Sequence, residues 1–320
     1  MIGRRSACLQ LCLVFVIVMM LGVRGSFQSE VGVAHLVNDM TAELIPVFIQ
    51  NRNEPATEHL ARRGLAQSPV GDDFYASDAL SAHQPEYPNN VAVIIETDTS
   101  RVPNLVPVML HFATVLGPSW PLVLVTLEAT WKPPSSPAFL RLVDSNQIRI
   151  KFLPPTTVMT DHHSVSVFLA SPWIWEQFKS AHRVLLFQAD SILCSKSTSR
   201  IEDFIEWDLI GAPIAPQFGQ GYNGGLSLRN PKLMYEITTD PNTTLGNDFE
   251  DQWFNARVKE RNGKLPSAEQ AMKFAVETIY YETPLGYHQP LRWQKENIEK
   301  MAEWCPEIGL LNSGAHFFHR

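Results

Sequence analysis

From residue 91 onward the chain alternates short apolar runs with stretches of helical spacing. VAVIIE (91–96), PLVLVTLE (121–128) and RVLLFQAD (183–190) are aliphatic, β-branched runs of strand length. Such continuous runs mark strands buried on both faces. QIRIKFL (147–153) alternates apolar with polar residues and predicts a further strand, and DLIGAPI (208–214) and GGLSLRN (224–230) predict two more. Between them, residues 102–116 place apolar side chains at helical spacing and close at Gly117-Pro118. Residues 138–143 predict a short helix, 165–178 an aromatic-rich one, 201–206 a helical turn and 267–281 a long helix. Pro231 suits a first helical position, with Asn230 as its cap. Strands alternating with helices predict an α/β fold with a mostly parallel sheet covered on both faces.

The first 90 residues follow another pattern. Arg4 and Arg5 precede an apolar run, residues 7–23, broken only by Gln10. Its length lies between a long signal-peptide core and a short membrane span. The charge bias places the N-terminus in the cytoplasm and sends the rest to the secretory lumen or outside. The run is read as a signal anchor, with a cleaved signal peptide ending near Gly25 as the alternative. Residues 31–50 have a helical pattern interrupted at Pro46, after which polar, small and proline residues dominate. The expected domains are therefore 1–25 as anchor or signal peptide, 26–90 as a stem or loosely packed extension, and 91–320 as the α/β domain. No internal repeat is visible.

Composition narrows the partners. The 320 residues are 45% hydrophobic, enough for a core, and the net charge is −7 with no Lys/Arg cluster, so a nucleic-acid partner is not expected. Of four cysteines, Cys8 and Cys12 lie in the apolar run. Cys194 and Cys305 remain, either as one disulfide in an oxidising compartment or as two buried thiols. Asn242-Thr243-Thr244 is an N-glycosylation acceptor pattern.

Candidate chemistry lies where strands run out. In an open α/β sheet ligands collect outside the carboxyl ends of the strands, and Asp190 stands at such an end, after Gln188. It would be a hard oxygen ligand for Mn²⁺ or Mg²⁺ on a diphosphate, or else a cap for the following turn. Asn223-Gly224-Gly225 would let backbone approach a ligand or take positive φ, or form a plain turn. Arg229 would meet a phosphate or lie at the surface. Glu250 and Asp251 fall in a first helical turn, where acids complement the helix dipole or supply a general base. Trp253 and Phe254 would be a sugar platform or core. His288, in a Gly/Pro-punctuated loop, would complete the Asp190 site or be solvated. Asp161-His162-His163 is a competing metal candidate whose side chains diverge on a helix. Gly-x-Ser-x-Gly, HExxH, P-loop and Gly-x-Gly-x-x-Gly patterns are absent.

In order, FQADSILC, DLIGAPI, GYNGGLSLRN, EDQWF, LPSAEQAMKFAVET and HQPL resemble an uncharacterised domain family related to glycosyltransferases with the GT-A fold. The resemblance runs from about Val91 to Trp293. It implies a Rossmann-like sheet, a nucleotide-sugar donor and a lumenal enzyme held by one N-terminal span, in the Golgi membrane or, if cleaved, secreted. Such enzymes carry Asp-x-Asp after the fourth strand; the matching positions here are Gln188 and Asp190, so only the second acid is present. The resemblance further implies that Glu96, Thr97 and Asp98 meet the nucleotide and that Asn223 to Gly225 line the donor and acceptor pocket. Asp251, then Glu250, would be the base, and His288 would join Asp190 on Mn²⁺ or Mg²⁺. The expected function is inverting, metal-assisted sugar transfer to a glycan or other hydroxyl acceptor. Alternatives are a catalytically silent glycan-binding or scaffold protein on the same fold and a secreted metal-dependent hydrolase.

Overall fold

A computed structural model of the chain describes residues 86–311, Pro88 excepted. The N-terminal apolar run, the helix expected over 31–50, nearly all of the stem, and Cys8 and Cys12 lie outside the described residues. Nine strands follow in chain order: β1 (Val91–Ile95), β2 (Leu122–Thr126), β3 (Ile148–Phe152), β4 (Val184–Phe187), β5 (Ser191–Leu193), β6 (Leu209–Pro213), β7 (Tyr222–Arg229), β8 (Ala275–Val276) and β9 (Gly286–His288). Six form the main sheet in the order β3-β2-β1-β4-β7-β6. The first four of that order are parallel, and β7 runs antiparallel to β4 and β6. The mostly parallel α/β fold is therefore present. β1, β2, β4 and β6 are buried along nearly their whole length, as unbroken apolar runs require. β3 is only partly buried, and its Arg149 and Lys151 stand on the edge of the sheet, where charge discourages further strand addition.

The helices are α1 (Leu105–Leu116), α2 (Pro137–Asp144), α3 (His162–Leu169), α4 (Pro172–Phe178), α5 (Pro231–Thr239), α6 (Glu250–Glu260), α7 (Ala268–Phe274), α8 (Pro290–Trp293) and α9 (Ile298–Trp304). Ser136, Asp161, Asn230 and Ser267 cap α2, α3, α5 and α7 with side-chain oxygens, which satisfies N–H groups that have no partner within the helix. In the core the rings of Phe112 on α1 and Phe187 on β4 stack at 3.9 Å.

Two helix expectations need correction. The segment 165–178 is not one helix, because Pro172 cannot continue α3 and instead opens α4. The long helix over 267–281 ends at Phe274, where Ala275 turns extended and Ala275–Val276 pair with Gly286–Tyr287 of β9. That pairing builds a second sheet, β5-β9-β8. Strand four also ends earlier than the apolar run suggested, at Phe187, and a separate β5 follows.

Cys194, after β5, and Cys305, after α9, form a disulfide with Cα atoms 4.9 Å apart, closing a separation of 111 residues. Both are buried. Replacing both by serine is expected to cost about 2–5 kcal/mol in denaturant unfolding, because a long loop is freed in the unfolded chain. A variant that unfolds at the wild-type midpoint would show that the link contributes nothing. Asn242 is exposed in the turn after α5. Among the described residues no helix is long and apolar enough to cross a membrane.

Candidate functional site

Backbone pairing builds the site. After β4 the chain turns, with Ser191 N–H donating to the Gln188 carbonyl at 3.0 Å. β5 then leaves the main sheet and runs antiparallel to β9, with Ser191 opposite His288. Gln289 N–H donates to the Asp190 carbonyl at 3.0 Å and extends this pairing. Two segments distant in sequence are thus held in register, and Asp190 stands beside His288. Nε2 of His288 lies 3.4 Å from Asp190 Oδ1 and 3.0 Å from Gln188 Oε1. Nδ1 lies 3.1 Å from Glu277 Oε1. His288 is therefore not a solvated loop residue: it ends a strand flanked on both sides and is 3% exposed.

Burial alone would lower the basicity of this imidazole, but the Asp190 and Glu277 carboxylates outweigh it and raise the pKa to about 10. Burial would likewise raise the Asp190 carboxyl, yet the adjacent His288 and the Gln289 amide, 2.9 Å from Oδ2, hold it below the usual carboxylate value.

The glycine pair belongs to β7 and serves its neighbours. Neither Gly224 nor Gly225 takes a positive φ. A Cβ on Gly225 would overlap the His288 imidazole. One on Gly224 would overlap the Glu250 carboxylate and stand 2.6 Å from an Arg229 Nη2. Asn223 Oδ1 accepts from Gly225 N–H at 2.8 Å. Gly225→Ala is therefore expected to push the imidazole from its seat beside Asp190, visible as a loss of the His288 ring resonances from their wild-type positions. Unchanged resonances would mean that the ring tolerates the methyl group.

Asp251 approaches the same stretch from α6. Its Oδ2 accepts from Gly224 N–H at 3.3 Å and its Oδ1 from Gln252 N–H at 2.7 Å. Burial, reinforced by the Glu250 charge, raises its pKa to about 6. Glu250 stands differently. Both its oxygens are taken by Arg229, at 2.8 and 3.1 Å, whereas those of Asp251 meet backbone N–H groups. Arg229 is neither at the surface nor open to a phosphate: it is 0% exposed, its guanidinium 5.5 and 5.4 Å from the rings of Trp175 and Phe254. Trp253 and Phe254 are buried, so they are core and not a sugar platform.

Asp190, His288 and Asp251 thus gather around Asn223–Gly225. Glu96, Thr97 and Asp98 follow β1, which neighbours β4 in parallel, so they share the same carboxyl edge. They are tied into their own turn. Glu96 Oε1 accepts from Asp98 N–H, Thr97 carbonyl from the Thr130 hydroxyl, and Asp98 caps the turn Thr99–Arg101. Burial raises the Glu96 pKa. No hydrogen bond joins these three to Asp190. The rival metal candidate dissolves: Asp161 caps α3 through Ser164, and Asp161, His162 and His163 are all exposed. Glu277 was not signalled by the sequence, because it sits in a stretch that reads as helix.

The donor atoms suit a divalent ion. Asp190 Oδ1 is buried without a hydrogen-bond donor, beside an imidazole nitrogen and an amide oxygen. Oxygen and nitrogen donors of this kind fit Mn²⁺ or Mg²⁺. Among the described residues no group of three His, Cys, Asp or Glu side chains is placed to hold a metal, so the third protein donor would be Gln188.

Residues 147–288, a little under half of the chain, match a family described as protein of unknown function (DUF5672). No curated protein matches. Three solved structures are similar in part. The apo-form glycosyltransferase GlyE of Streptococcus pneumoniae TIGR4 is 14% identical, with a TM-score of 0.41 over 63% of this chain and 54% of that one. The galactosyltransferase LgtC in complex with donor and acceptor sugar analogs is 12% identical, with a TM-score of 0.37 over 67% and 96%. Core-mannan synthase A of Aspergillus fumigatus in its Mn/GDP form is 9% identical, with a TM-score of 0.28 over 46% and 49%. The chain spans about half the length of the first and third of these. At such scores the likeness identifies neither activity nor substrate.

Proposed function

We propose that this chain is a glycosyltransferase of the GT-A type that moves a sugar from a nucleotide-diphosphate-sugar donor to a glycan or other hydroxyl acceptor with inversion. Its place would be the secretory pathway, most simply the Golgi lumen, with the N-terminal apolar run as anchor. The observation that carries the reading is the gathering of Asp190, His288 and Asp251 around Asn223–Gly225, at the carboxyl edge of a mostly parallel sheet.

Asp251 is the base. A sugar hydroxyl is a poor nucleophile at neutral pH, and a carboxylate with a pKa of about 6 is ionised there yet more basic than an ordinary one. It takes the acceptor proton as the new bond forms at the anomeric carbon and the bond to the diphosphate breaks. Asp190, His288 and Gln188 would hold Mn²⁺ or Mg²⁺, whose contribution when bound is to neutralise charge on the departing diphosphate. The Glu96–Asp98 turn, one strand over, faces the nucleotide. Thermal-shift screening of nucleotide sugars identifies the donor, since a ligand of the native state raises its melting point. Transfer and donor hydrolysis by the wild type, Asp190→Ala and Asp251→Ala then test the roles. Both variants are expected to lose activity; unchanged rates in both would discard the assignment.

A second reading is a catalytically silent glycan-binding module. It draws on Gln188 Oε1 lying 3.0 Å from His288 Nε2, a contact that gives Nε2 a partner without a cation. Calorimetry separates the two: glycan binding with no affinity for any nucleotide would favour the silent module.

A further inference from the structure

We infer that Glu277 is a positioning residue for His288, turning Nε2 of the imidazole toward the cation that Asp190 and Gln188 would share. The inference rests on the metal-assisted reading above and deepens it.

The small sheet supplies the geometry. β8 is parallel to β9 with Ala275 opposite Gly286 and Val276 opposite Tyr287. One step further in the same register, Glu277 comes opposite His288. On the other side β5 places Ser191 opposite His288, with Asp190 just before it. Three short strands therefore set Glu277, His288 and Asp190 side by side. Glu277 is 6% exposed, and His288 is the basic group its carboxylate faces, with Oε1 3.1 Å from Nδ1. Its carbonyl is fixed by the buried Gln294 amide at 2.8 Å.

The chemistry follows from the two ring nitrogens. A neutral imidazole presents one N–H and one lone pair, and the partner of the first decides which nitrogen offers the second. Beside these carboxylates the metal-free ring carries both protons; a cation held by Asp190 and Gln188 displaces the one on Nε2, and the Glu277 carboxylate, 3.1 Å from Nδ1, favours keeping the other. It also makes the imidazole more electron-rich, as carboxylates behind metal-bound histidines do. Since Gln188 is uncharged, Asp190 is the one carboxylate among the three donors. Glu277 adds a second negative charge from behind the ring.

The test is Mn²⁺ affinity in the presence of a nucleoside diphosphate, read by electron paramagnetic resonance rather than by turnover. Glu277→Gln is expected to weaken Mn²⁺ binding by about 10–100-fold, with nucleotide affinity in the absence of metal unchanged. Glu277→Asp is expected to restore part of the loss. Equal Mn²⁺ affinity in wild type and Glu277→Gln would overturn the inference, and so would a parallel loss of metal-free nucleotide binding, which marks general damage. A wild type that binds no Mn²⁺ at all would fail the metal-assisted reading itself and take this inference with it. Should Glu277→Gln not fold, ¹⁵N spectra of wild-type His288 with Mg²⁺ decide: a proton on Nδ1 supports the role of Glu277, and a proton on Nε2 overturns it.

Discussion

Asp251→Asn is expected to lower turnover by about 10²–10⁴-fold, the range over which a positioned base contributes, and at the same time to make the protein more stable at neutral pH. The first effect follows from removing the group proposed to take the acceptor proton. The second follows from the raised pKa. In the unfolded chain Asp251 titrates near 3.8, in the folded one near 6. Below pH 3.8 the carboxyl is protonated in both states and nothing is lost. Between 3.8 and about 6 the unfolded chain ionises while the folded one does not, so stability falls as pH rises. Above about 6 the loss is complete, and at pH 7 it amounts to roughly 2–3 kcal/mol. An uncharged asparagine avoids it. Wild-type turnover should rise with pH through about 6, as the base ionises. Denaturant unfolding of both proteins at pH 4 and pH 8, with kcat alongside, checks the account. A carboxylate with a structural role only would give a variant that is less stable and equally active.

Arg229→Met is expected to destabilise the fold by about 3–5 kcal/mol, because it leaves the Glu250 carboxylate buried without its cation. The pair is fully enclosed. Arg229 is 0% exposed, bound at both Nη atoms by Glu250, and its Nε donates to Ser227 Oγ at 2.9 Å. The pair also sets the first turn of α6, and Asp251 is the next residue, so activity should fall with stability. Replacing both partners, as Arg229→Met with Glu250→Leu, is expected to recover much of the stability, since an apolar pair of similar volume avoids the unpaired charge. Urea midpoints of the three variants test this. A double variant as unstable as the single one would mean that the hydrogen bond to Ser227 and the aromatic contacts, not the charge, hold the position.

These residues show what the chain disclosed before its structure and what it withheld. The aliphatic runs at 91–95 and 122–126 were legible because strands buried on both faces leave an unbroken apolar signature. Asp190 and the Glu250-Asp251 pair were legible as acids at element ends. The ion pair that holds Glu250 was not, since Arg229 looks like any polar residue until its burial is known. β8 and β9 span two and three residues and are too short to show a period, so His288 read as a loop residue and 267–281 as one helix. Glu277 was hidden by the same misreading. Of the two reasons the sequence offered for the glycine pair, positive φ does not hold; side chains of its neighbours exclude a Cβ there.

The most direct test of the site is calorimetry of nucleoside diphosphates with and without Mn²⁺, on the wild type, Asp190→Ala and Asp251→Asn. Metal-dependent binding to the wild type is expected, with its loss in Asp190→Ala and its retention in Asp251→Asn, whose missing carboxylate is proposed to act on the acceptor. Binding that ignores both the metal and Asp190, or no nucleotide binding at all, would contradict the proposed site.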